Sequence, residues 1–188
     1  LKYIFISNEH PDHLNWLTLK KIRDACDQEI LVLMPERRNS NVHENLLNMG
    51  FESLQVQPYQ EYESEDGVKF SFWKKNHDAA IVFNIDNKII FNKNDCEFSP
   101  EQLYSIKNFL NQKIDVLFSQ FSLAGYYGNK NDTDRLQDAK NRHIADLTLA
   151  DKILKPNITV PFASFISFCR KENQYLNEYI VDLEEIVN

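Results

Sequence analysis

Short apolar runs of strand length alternate with longer stretches of helical periodicity along most of this chain. Each run is too short to be a helix by itself, and each is closed by a polar or proline-containing segment. Tyr3 to Ile6 is the first such run, ending in the polar loop Ser7 to His13. Ile30 to Met34 is the second, stopped by Pro35, and Val68 to Phe72 alternates. Ala79–Asn84 and Lys88–Asn92 flank Asp86-Asn87, which reads as a hairpin turn. Ile114 to Phe118 and Ile158 to Val160 complete the set.

Helices fill the gaps. The first is expected after His13, with Leu14, Leu17, Ile22 and Ala25 on its buried side. A second runs from a cap at Ser40 to Met49, with Gly50 at the C-terminal cap. Ser99-Pro100-Glu101-Gln102 opens a third, with Ser99 as cap, Pro100 at the first helical position and Gln102 closing a capping box. A fourth extends from about Thr133 to Lys155 and is ended by Pro156. Helices interspersed among strand groups, without repeats or a linker, imply one layered α/β domain over residues 1–188.

Composition narrows the function. A formal charge of -7 argues against a nucleic-acid backbone as partner, because phosphate binding needs clustered Lys and Arg. The pairs Lys20-Lys21, Arg37-Arg38 and Lys74-Lys75 read as solvated faces. Cys26, Cys96 and Cys169 are odd in number and far apart, so they frame no disulfide scaffold and favour a reducing, cytoplasmic setting. No apolar stretch approaches the roughly twenty residues that cross a bilayer, so no membrane partner is expected. A small-molecule substrate is the expected partner, with oligomerisation left open.

The chemistry concentrates in His10-Pro11-Asp12-His13, released directly from the first apolar run. Two imidazoles and a carboxylate within four residues can face a common centre, and both are good ligands for zinc or iron. The competing explanation is local: Asp12 caps a helix starting at His13 or Leu14. His43 reads as a surface residue. His143 falls on the apolar stripe of the long helix with Leu136, Ala139, Leu147, Ala150 and Leu154, so a packed, hydrogen-bonded histidine is expected there. Cys96 reads as buried packing. Phe162, Phe165 and Phe168 read as core, and Tyr126 and Tyr127 as either pocket lining or rim.

Asn8-x-His10-x-Asp12-His13 resembles the His-x-His-x-Asp-His loop of the metallo-β-lactamase superfamily, with Asn8 in place of the first His. Lys88 to Cys96 resembles the family's strand ending in a metal-bridging Asp, and Val160 to Phe165 resembles the strand end that usually presents the last His. More narrowly, Asn94-Asp95-Cys96, Phe118-Ser119-Gln120-Phe121 and Pro161-Phe162-Ala163 are similar to the lactamase-like domain of CMP-N-acetylneuraminate hydroxylases and their bacterial relatives.

The resemblance implies an α/β fold, the metallo-β-lactamase-like αββα sandwich, here lacking the N-terminal strands that normally precede the metal loop. The chain is therefore expected to be a fragment of a longer one. It also implies His10, Asp12, His13, His77 and Asp95 as metal ligands, with Asp78 an alternative to His77. Asn8 is a poor ligand for transition metals and Ala163 supplies none, which leaves one transition metal ion, zinc or iron. The expected activity is a metal-dependent hydrolase using a metal-bound hydroxide, with Asp12 orienting the water. Two alternatives stand beside it. One is an iron-dependent oxygenase similar to the sialic-acid hydroxylases, whose electron donor lies outside these residues. The other is a degenerate, non-catalytic domain.

Overall fold

The structure, a computed structural model, describes residues 1–37 and 40–187. The chain packs as two compact units, Leu1–Asn87 and Lys88–Asn188.

In the first unit, β1 (Tyr3–Phe5), β2 (Leu31–Pro35) and β3 (Glu52–Val56) form a parallel sheet in that order. Parallel neighbours need crossover connections, and α1 (Trp16–Asp24) and α2 (Val42–Asn48) supply them. Then β4 (Glu61–Glu63), β5 (Lys69–Lys75) and β6 (Asp78–Ile85) pair antiparallel. The two-residue period of β2 divides the core into two faces. Val32 and Met34 pack with Leu19 of α1 and Val42 and Leu46 of α2. Leu31 and Leu33 pack with Phe70, Phe72 and Ile81 of the antiparallel strands. Helices thus cover one face of the parallel sheet and β-strands the other.

The hydrophobic side of α1 differs from the sequence expectation. Asn15 caps this helix, its side chain accepting from the Thr18 N–H, so the helix starts three residues later than His13. That shift rotates the face: Leu19 is buried and Leu17 is 73% exposed. Helix α2 is preceded by Asn41, while the Ser40 hydroxyl accepts from the Val42 N–H. Gly50 follows this helix with φ +82°, the left-handed conformation expected of a C-terminal cap. Lys20, Lys21 and Lys74 are exposed, but Arg37 is not a surface residue; its side chain is 18% exposed. Arg38 lies outside the described residues.

In the second unit, β7 (Lys88–Asn94), β8 (Val116–Ser119) and β9 (Ile158–Pro161) are parallel, joined by α3 (Pro100–Leu110) and α4 (Thr133–Leu154). The capping box at Ser99 and Gln102 is formed, and Lys155 in the left-handed region ends α4 ahead of Pro156. Helices α3 and α4 pack on each other, tied by Lys107 Nζ donating to the Ile153 carbonyl at 2.6 Å. A 3-10 turn (Gln174–Tyr179) and a short α5 (Glu184–Val187) follow. Phe165 is not core: it is 68% exposed.

Candidate functional site

The loop after β1 is held by side chains from its own first residues. Ser7 and Asn8 are both buried, Asn8 to 1% exposure. The Asn8 amide nitrogen donates to Asp78 Oδ1 at 2.8 Å and to Ser7 Oγ at 3.4 Å, and Asn8 Oδ1 accepts the His10 N–H at 2.9 Å. The His10 carbonyl accepts from the N–H groups of His13 and Leu14. Asn8 therefore stands where the family pattern has a ligand and acts as a brace, fastening the loop to the start of β6.

This brace presents Asp12 and His13 together. His13 Nδ1 lies 3.1 Å from Ser7 Oγ, and His13 Nε2 lies 3.5 Å from Asp12 Oδ2. When Nδ1 donates to Ser7, the Nε2 lone pair is left on the Asp12 side; in the other tautomer Nε2 carries a proton facing the carboxylate. Two donors on one tetrahedral ion, each about 2.1 Å away, stand roughly 3.4 Å apart. Asp12 and His13 fit that spacing, with Ser7 as the outer partner that fixes the ring. Because Asn15 caps α1, Asp12 is not spent on the helix.

The other expected ligands stand differently. His10 and His77 are exposed. At the β5–β6 turn it is Asp78, rather than His77, that the loop contacts. Among the described residues, no three His, Cys, Asp or Glu side chains gather as a metal-binding group. Asp12 and His13 are thus the two donors that the loop brings together, and Asn8 adds none.

Sequence reasoning overlooked Glu9 and Arg37. Arg37 Nη2 donates to the His77 carbonyl, and its Nε faces Glu9 Oε1 at 3.8 Å. The basic pair Arg37-Arg38 gave no sign of this, because adjacent arginines on a polar stretch look alike whether solvated or folded inward.

In the second unit, Asp95 sits on the turn that ends β7, half-buried. A bulge shifts the register here: Asn92 pairs with Phe118 but Asn94 with Ser119, leaving Lys93 as the extra residue. Asn94 takes φ +54°. Lys93 is 1% exposed, and its ammonium donates to the Cys96 carbonyl at 2.7 Å and to Asp146 Oδ2 at 2.5 Å. Burial pushes the Asp146 carboxyl above the usual range, and Lys93 offsets part of that rise. His143 is buried as expected, its Nε2 3.0 Å from the Tyr127 hydroxyl, and burial holds its pKa below the ordinary value. Cys96 is fully buried. At the end of β9, Ala163 and Ser164 are both left-handed, φ +59° and +57°, a conformation that costs a non-glycine residue about 1–2 kcal/mol.

No protein-family model matches the sequence, and no curated protein matches it. Solved structures are similar. CmlA, a diiron β-hydroxylase from Streptomyces venezuelae, superimposes with TM-score 0.64 at 13% identity, over 85% of this chain and 35% of that chain. The metallo-β-lactamase fold protein YhfI from Bacillus subtilis gives 0.56 at 11% identity, over 95% of this chain and 70% of that one. Igni18, a metallo hydrolase from Ignicoccus hospitalis, gives 0.55 at 15% identity, over 85% and 62%. This chain has the metallo-β-lactamase fold. It spans about a third of the length of CmlA. No helix among the described residues is long and apolar enough to cross a membrane.

Proposed function

We propose that this chain is a metal-dependent hydrolase domain acting on a small molecule, with Asp12 and His13 as the core of its metal seat. The observation that carries this reading is the 3.5 Å spacing of Asp12 Oδ2 and His13 Nε2 on a loop braced by buried residues. A zinc or iron ion bound there would activate water and polarise the electrophile. Asp12 keeps its second carboxylate oxygen for orienting the attacking water, on a side chain that is 76% exposed. Ser7 holds the His13 ring so that one nitrogen stays turned to the seat. His10, His77 and Asp95 are the further ligands proposed from the resemblance.

Similarity to CmlA supports a second reading, an iron-dependent hydroxylase domain. Metal identity separates the two. The protein is purified without chelators, metal is counted per chain, and turnover of chromogenic esters and phosphodiesters is compared with dioxygen consumption. Hydrolysis stimulated by metal and lost in Asp12→Asn and His13→Ala is the expected result. Iron with substrate-dependent dioxygen uptake transfers the assignment to the hydroxylase. A chain that binds no metal and shows no metal-stimulated turnover is a degenerate domain, and both readings fall.

A further inference from the structure

A cleft of about 530 Å³ opens in the first unit, within the size range that holds small organic ligands. Trp73 and Pro58 give it apolar walls, and Arg37, Lys74 and His77 give it cationic and titratable ones. Glu36 is the one acid in the lining, and its carboxylate accepts from the Gln57 amide. On a chain of net charge -7, two cationic side chains against one carboxylate in this lining stand out.

Arg37 is the informative residue. Its guanidinium carries five N–H donors in a planar fork that suits carboxylate and phosphate. One donor goes to the His77 carbonyl. Nε is buried and, among the described residues, meets no hydrogen-bond acceptor; Glu9 Oε1 opposite it is likewise buried and not hydrogen-bonded. The two atoms are buried 3.8 Å apart on side chains that are 18% and 32% exposed, so this loose ion pair spends no guanidinium hydrogen bond, and the fork beyond Nε meets the His77 carbonyl alone among the described residues.

We propose that this cleft binds a small organic acid, with Arg37 meeting the anionic group and Trp73 and Pro58 contacting its apolar body. Binding itself requires no metal. Its role as a substrate subsite rests on the reading of the Asp12–His13 loop given above, to which Glu9 connects it through the chain.

The test uses intrinsic fluorescence. Trp16 and Trp73 are the two tryptophans, so Trp16→Phe leaves Trp73 to report on the cleft. Phenylacetate, phenyl phosphate and the neutral benzyl alcohol are titrated in turn. We expect a saturable change with at least one acid, whichever responds identifying the anionic group, and none with benzyl alcohol. Arg37→Gln should weaken that binding about tenfold. No saturable response to either acid, an equal response to benzyl alcohol, or unchanged affinity in a folded Arg37→Gln protein overturns the proposal. If Arg37→Gln does not fold, salt dependence decides: affinity must fall as ionic strength rises, and a flat profile overturns it. His13→Ala keeps the two readings apart. Acid binding there should stay within about twofold of the parent whether or not the loop holds metal, and its loss would assign the acid to the loop instead.

Discussion

The amide nitrogen of Asn8 donates to Asp78 Oδ1 at 2.8 Å, fastening a buried loop residue to the first residue of β6. With Ser7 and the His10 N–H as its other partners, this side chain uses both its amide nitrogen and its oxygen in hydrogen bonds. Asn8→Ala should therefore lower stability by about 2 kcal/mol, since one hydrogen bond to a carboxylate and a backbone partner are lost together. Urea denaturation measures this. A change within a few tenths of a kcal/mol would mean that the brace carries no weight.

Ser7 should matter to metal affinity more than to folding. Ser7→Ala removes the Oγ that meets His13 Nδ1, and with it one of the contacts that orient the ring. Affinity for zinc, read by competition with a chelating dye, should fall about tenfold. Equal affinity in the variant and parent would separate His13 from any bound metal.

Lys93 and Asp146 form a buried pair whose halves are unequal in isolation. Lys93→Met leaves the Asp146 carboxyl uncompensated and should cost about 3–5 kcal/mol, whereas the double change Lys93→Met with Asp146→Leu should recover most of that loss. Chemical denaturation of the three proteins tests it. If the double variant is no more stable than the single one, Lys93 acts through its bond to the Cys96 carbonyl rather than through charge.

Acidification should destabilise the second unit through His143. Its folded pKa lies below the ordinary 6.5 because of burial. Above that value the ring is neutral in both states, so its contribution is fully present. As pH falls through 6.5 the unfolded chain takes up the proton first, and stability is lost until the folded pKa is passed. His143→Gln should flatten this dependence as pH falls through and below about 6.5. An unaltered slope would place the acid sensitivity elsewhere.

Much of this was legible in the chain itself, for identifiable reasons. The capping box at Ser99 was readable because all its parts lie within four residues. The stripe containing His143 was readable because about six turns of one helix repeat the same period. Helix α1 misled because Asn15 competes with Asp12 as a cap, and the choice between them decides whether Leu17 or Leu19 faces inward. Phe165 misled because apolar character says nothing of exposure at a strand end. The roles of Arg37, Lys93 and Asn8 depend on partners 28 to 70 residues away, such as Glu9, Asp146 and Asp78, which local patterns do not reveal.

The bulge in β7 makes the chain's length at position 93 a constraint of its own. Between Asn92 and Asn94 one strand spends an additional residue against its neighbour. Removing any single residue there would reset the two-fold alternation at the strand's last residue, so that Asn94 and the turn after it take the opposite orientation. Divergent versions of this protein should thus exchange side chains along β7 far more readily than they gain or lose a codon within it.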